Sequence, residues 1–119
     1  MEKEIYAVRG AVFLERDEAA EVDRKVRLLL STLAERNGVE VGDVLTLLFS
    51  STSDIRSRNP ATAAREAGWD VPIFSLREAE FEGSPPLAIR VLLEWKGMPG
   101  LCPRPAYLAG AETLRPDLA

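Results

Sequence analysis

Arg9 and Arg90 each interrupt an otherwise apolar run, Ile5-Tyr6-Ala7-Val8-Arg9-Gly10-Ala11-Val12-Phe13-Leu14 and Leu87-Ala88-Ile89-Arg90-Val91-Leu92-Leu93. Both runs are aliphatic and partly β-branched, without helix caps, and read as half-buried to buried strands. A guanidinium stays charged, so one inside such a strand calls for an anion, and its planar fork suits a carboxylate or phosphate bidentately. Strand alternation puts Arg9 on a face with Ala7, Ala11 and Phe13, and Arg90 on a face with Ala88 and Leu92. The small neighbours leave room above each cation. Glu78 offers a carboxylate after the third strand, and Tyr107 a phenol in the last. Two readings stay open. The four groups form a pocket for an anionic ligand, or the arginines are structural, with Glu78 merely pairing Arg90 and Tyr107 a core aromatic with a satisfied hydroxyl.

Missing residue types narrow the chemistry further. The chain has no histidine and one cysteine, Cys102. Histidine-dependent nucleophilic catalysis and histidine or thiolate metal sites are therefore excluded. No Gly-rich phosphate loop is present. An enzyme built from this chain works with carboxylates, hydroxyls and arginines, without cofactor or metal. The net charge is −4 with no basic stripe, which argues against a nucleic-acid partner. No run reaches the ~20 apolar residues of a membrane span. Met1-Glu2-Lys3-Glu4 lacks a signal-peptide profile, and a lone cysteine precludes an intrachain disulfide. The expected location is cytoplasmic.

The 119 residues, 46% hydrophobic and 29% charged, make one domain spanning 1–119 with a single core. The pattern predicts a strand at 4–14 and a helix capped by Asp17 that ends at Asn37-Gly38, with Val22, Val26, Leu29, Leu30 and Leu33 as its apolar stripe. A second strand at 44–51 follows, then a short helix from Pro60 to Gly68. Further strands are expected at 71–76, 87–95 and about 105–110. The order βαβαβββ is a mixed α+β domain with helices on one face of the sheet. The bare face favours an oligomer.

In their order and spacing these segments resemble the monofunctional bacterial chorismate mutases of the AroH class. The resemblance rests on Val8-Arg9-Gly10-Ala11 with Glu15-Arg16-Asp17, on Pro60 to Arg65 before Gly68-Trp69, and on Val71-Pro72 leading to Glu78. It continues through Ile89-Arg90-Val91, Tyr107-Leu108 and the tail Leu114-Arg115-Pro116-Asp117-Leu118. It implies a ferredoxin-like or barrel-like subunit, a homotrimer with active sites at the subunit interfaces, and the Claisen rearrangement of chorismate to prephenate in aromatic amino acid biosynthesis, a shikimate-pathway step. Such a pericyclic step needs no nucleophile, proton transfer or cofactor.

Residue by residue, the resemblance implies that Arg90 and Glu78 are catalytic, at the ether oxygen and the ring respectively. Arg9 and Tyr107 would bind the enolpyruvyl carboxylate, and Ile73, Phe74 and Ser75 would line the pocket. Asn59, Ala61, Thr62 and Arg65 would come from the neighbouring subunit, while Leu114 and Arg115 close the site. Asn59, Thr62 and Ser75 depart from the family pattern, which favours an aromatic, a lysine and a cysteine there. The rival classes are a small-molecule anion-binding regulatory module and a trimeric imine deaminase-like protein.

Overall fold

The computed structural model describes residues 2–118. Five strands form one sheet: β1 (Glu4–Phe13), β2 (Val44–Ser51), β3 (Ile73–Arg77), β4 (Ala88–Gly97) and β5 (Ala106–Leu108). Two α-helices, α1 (Ala19–Asn37) and α2 (Pro60–Glu66), pack on one side of it, with 3-10 turns at Val41–Asp43 and Ala111–Leu114. The strand order is β3-β2-β4-β1-β5. Strand β4 runs antiparallel to both β1 and β2, while β5 is parallel to β1 and β3 parallel to β2. The unit β1-α1-β2 is thus a split β-α-β with β4 inserted between its strands.

The core lies between the sheet and α1. Val22, Val26, Leu29, Leu30 and Leu33 are fully buried there against Val12, Leu47, Phe49, Ile89, Leu93 and Trp95. Gly38 closes α1 in a left-handed conformation (φ 62°), and the Val39 amide donates to the Ala34 carbonyl at 2.9 Å, a Schellman-type stop. Gly10 is required by close approach. A Cβ there would stand 2.8 Å from the Leu29 Cδ1 and 3.0 Å from the Ala106 carbonyl oxygen.

The structure corrects one reading. Asp17 does not cap α1. Glu18 holds the N-cap position without a side-chain bond. Asp17 instead accepts from the Arg56 and Ser57 amides and the Ser57 hydroxyl, pinning the loop before α2. The work at the helix start falls to buried Glu21, whose carboxylate accepts the Glu15 amide at 2.6 Å and the Arg16 amide at 3.2 Å. The run around Arg9 is half-buried, at the open end of the expected range. Arg9 is exposed because no helix covers the odd-numbered side of β1. Two elements also differ in extent. The third strand starts at Ile73 rather than Val71, since Pro72 lacks an N–H, and β5 is cut to three residues by the turn at Gly110.

Among the described residues no helix is long and apolar enough to cross a membrane.

Candidate active site

The helix-free face of the sheet carries the candidate site, and strand register sets its layout. One row across that face reads Leu76, Ser50, Arg90, Ala11, Tyr107, from β3 through β2, β4 and β1 to β5. The next row reads Phe74, Leu48, Leu92, Arg9. Arg9 and Arg90 are therefore diagonal neighbours on adjacent antiparallel strands, about 7–8 Å apart at the backbone. Ala11 lies between Arg90 and Tyr107, so nothing bulky separates cation from phenol.

Above these rows opens a cavity of about 440 Å³, lined by Arg9, Leu48, Ser50, Leu76, Arg90, Leu92, Tyr107, Leu114 and Arg115 among others. That volume suits a small organic ligand, and the mix of apolar floor with few convergent polar groups is the usual make-up of such sites. The Tyr107 ring is buried in a small cluster with Ala11, Ala111, Phe13, Leu114 and Leu118. That packing fixes the phenol and folds the tail over the cavity edge.

The charges are unevenly matched. Among the described residues no carboxylate lies within ion-pair distance of Arg9. Arg115 is held in a two-point pair by Asp117, at 3.1 Å from Nε and 2.8 Å from Nη2. That guanidinium holds the Asp117 carboxyl below its usual range. Arg90 Nε stands 2.6 Å from Glu78 Oε1, yet this nitrogen has no directed hydrogen bond and almost no accessible surface. The Glu78 side chain is 14% exposed and the Arg90 side chain 40%, so the carboxylate is the more enclosed of the two. Ser50 Oγ donates to the same Oε1 at 2.9 Å.

One chain unites Arg9, Arg90, Tyr107, Leu114 and Arg115 around the cavity and puts Glu78 in contact with its wall. It does not unite the rest of the expected set. Phe74 lies on the same face but stands 72% exposed beyond the cavity edge. Ile73 and Ser75 point to the helix side, because Phe74 is the register partner of outward-facing Leu48. Ser75 and Asn59 line a separate cavity of about 220 Å³ with Arg56, Arg58 and Arg77. The Asn59 side chain caps α2 through the Ala61 amide at 2.9 Å, Ala61 is buried, Thr62 half-buried and Arg65 exposed. Sequence reasoning put Leu92 on the face of Arg90 but missed Leu48, Ser50 and Leu76 as lining residues. The alternation of β2 could have found the first two.

Electrostatically, the cavity can hold an organic anion against two or three guanidiniums and a phenol. No group of three or more acidic or cysteine side chains suited to a metal occurs among the described residues.

The family model described as chorismate mutase type I matches residues 5–118. Two curated relatives named chorismate mutase AroH align over nearly the whole chain. The one from Thermus thermophilus is 38% identical, covering 96% of each chain, and the one from Bacillus subtilis (strain 168) is 36% identical, covering 97% of this chain and 93% of that one. A solved structure described as a chorismate mutase from Clostridium thermocellum superposes with a TM-score of 0.84 at 31% identity, covering 91% of this chain and 98% of the other.

Proposed function

The chain belongs to the type I chorismate mutases and isomerises chorismate to prephenate, and from that premise we propose that its open-face cavity binds and rearranges the substrate. The observation that carries the proposal is the convergence of Arg9, Arg90, Arg115 and Tyr107 on one cavity above an apolar floor. Chorismate is a dicarboxylate whose rearrangement breaks a C–O bond while a C–C bond forms. The protein therefore has two tasks: to hold the compact conformer, and to stabilise charge as it separates.

The ether oxygen gains negative charge as its bond breaks. Arg90 meets that charge with a cation whose position is already set by β4 and by Glu78. Glu78 faces the ring, where positive character develops, and accepts the ring hydroxyl. Arg9, which has no carboxylate within ion-pair distance among the described residues, binds the enolpyruvyl carboxylate together with the Tyr107 hydroxyl. Leu114 and Arg115, on the turn packed against Tyr107, close over the bound molecule. Nothing in these roles asks for a cofactor or a proton transfer.

The site is completed by a second copy of the chain in a homotrimer. Leu48, Phe74 and Leu76, neighbours on β2 and β3, expose apolar surface on the helix-free face. Leu76 lines both the main cavity and the one that holds Asn59 and Ser75. A neighbour docked on the open face brings its own Asn59, Ala61, Thr62 and Arg65 to the mouth of the main cavity. Thr62 adds no charge there, so the second carboxylate depends on arginines.

The test is direct. The purified chain should consume chorismate, followed by its ultraviolet absorbance, at a rate unaffected by exhaustive treatment with EDTA. Loss of rate on chelation, restored by metal, ends the cofactor-free mechanism. Full activity from a species of monomeric mass ends the shared site.

A further inference from the structure

Ser50 is the single hydroxyl in the row Leu76, Ser50, Arg90, Ala11, Tyr107 that lies directly beside Arg90, and it follows the apolar stretch Leu47-Leu48-Phe49. An apolar residue would suit the floor of the cavity better, so the hydroxyl needs a reason. Its partner supplies one. Ser50 Oγ donates to Glu78 Oε1 at 2.9 Å, and Arg90 Nε stands 2.6 Å from that same oxygen without a directed bond. The Glu78 backbone is tethered alongside, its amide donating to the Ser51 carbonyl at 2.9 Å.

These contacts have a common effect. A carboxylate rotates freely about its last torsion, which has only a broad, two-fold preference. With Arg90 as its sole contact, Glu78 would turn until the guanidinium formed straight hydrogen bonds to it, the geometry that arginine and carboxylate prefer. Such a pair would consume the donors that the substrate needs. The Ser50 hydroxyl prevents that turn by claiming Oε1, and both protein contacts then fall on one oxygen.

We propose that Ser50 is a positioning residue for the rearrangement: it anchors Glu78 by one oxygen, leaves the other for the substrate, and keeps the Arg90 donors from being spent on Glu78. The proposal rests on the assignment of Arg90 and Glu78 to catalysis.

Steady-state kinetics and thermal melts on Ser50→Ala, Ser50→Thr and Glu78→Ala, with the double variant Ser50→Ala/Glu78→Ala, test it. Loss of a hydrogen bond to a charged group predicts that Ser50→Ala lowers kcat about tenfold, with KM within about twofold of normal. Ser50→Thr, which keeps the hydroxyl and suits a strand, should recover most of the rate. In the Glu78→Ala background, removing Ser50 should change kcat by less than about twofold, since the residue acts through Glu78. A normal kcat in Ser50→Ala, or a change confined to melting temperature, overturns the proposal. So does an equal loss with and without Glu78, which would mean that Ser50 meets the substrate itself. Normal turnover in Glu78→Ala, whatever Ser50→Ala does, overturns instead the catalytic assignment on which the proposal rests.

Discussion

Arg90 Nε and Glu78 Oε1 stand 2.6 Å apart, close enough for a strong charge-assisted bond, yet the N–H does not point along the line between them. The pair therefore attracts by charge without a straight Nε bond, and since Nε has almost no accessible surface, the terminal nitrogens of this 40% exposed side chain are the donors that a ligand can reach. A purely structural ion pair in so protected a position would be expected to relax into straight bonds. This geometry separates two roles that a salt bridge usually combines, and it makes Arg90 the most informative residue to replace.

Arg90→Ala should lower turnover a hundred- to a thousandfold, the ~3–4 kcal/mol typical of deleting one donor to a developing oxyanion. Arg90→Lys should keep the charge and still fail to restore the rate, because one ammonium cannot span two acceptors as the fork does. The melting temperature should change little, since the Arg90 side chain is 40% exposed and its partner can be rehydrated. A large drop in melting temperature with normal turnover would return Arg90 to a structural role.

Arg9→Ala and Arg65→Ala should each be poorly active alone and recover activity when mixed under conditions that exchange subunits. Arg9 stands on the open sheet face and Arg65 on the last turn of α2, so one chain does not bring them to a common cavity. Mixed interfaces can hold one intact copy of each. Light scattering on the wild-type chain should give three times the monomer mass. Failure of the mixture despite proven exchange argues that Arg65 is not part of the site.

Gly10→Ala should destabilise the fold by about 1–3 kcal/mol, the usual penalty for forcing a methyl group into a packed interior. The new Cβ would stand 2.8 Å from Leu29 Cδ1, 3.0 Å from Leu33 Cδ1 and 3.0 Å from the Ala106 carbonyl oxygen. Both leucines are fully buried, and Ala106 adjoins Tyr107 in β5. Urea titration reads the stability loss. A raised KM in the same variant would report displacement of Tyr107, and an unchanged urea midpoint would contradict the packing argument.

Acid should weaken the chain partly through Glu21. The Glu15 amide, and then the Arg16 amide, hold its carboxyl below the ordinary range despite burial. The folded pKa is thus depressed, so this stabilisation is fully present above the unfolded value of about 4.3 and disappears as pH falls through the depressed one. Glu21→Gln should melt lower than wild type at neutral pH, with the gap closing toward pH 3. A gap that is constant across that range would assign the effect to packing rather than charge.

Periodicity revealed α1, the two arginine-bearing strands and the face each arginine occupies, because alternation and the 3.6-residue repeat are local properties. What stayed hidden depends on pairing. Ile73, Phe74 and Ser75 read alike as pocket residues, but the partnership of Leu48 with Phe74 turns Ile73 and Ser75 to the helix side. Asp17 looked like a helix cap, being an acid before a helical run, while its actual partners, Arg56 and Ser57, lie far along the chain. Ser50 gave a local signal, a hydroxyl ending an apolar stretch, but its meaning came only with Glu78 beside it. Residue types and strand alternation suggested Arg9, Arg90 and Tyr107 as one pocket before any register was known, and the family resemblance gave each a role.

The strand order has a further consequence for how the molecule comes into being. Strand β1 is first in the chain, and both of its sheet partners, β4 and β5, lie in the last third, Glu4 pairing with Gly97 and Gly10 with Ala106. During synthesis β1 emerges early and can rest only on α1, its backbone donors and acceptors unpaired until residues beyond 88 have left the ribosome. Such long-range closure is slow, and it leaves an unpaired apolar strand exposed to neighbouring chains in the interval. Refolding from denaturant should accordingly be slow for a chain of this length, and its yield should fall as protein concentration rises.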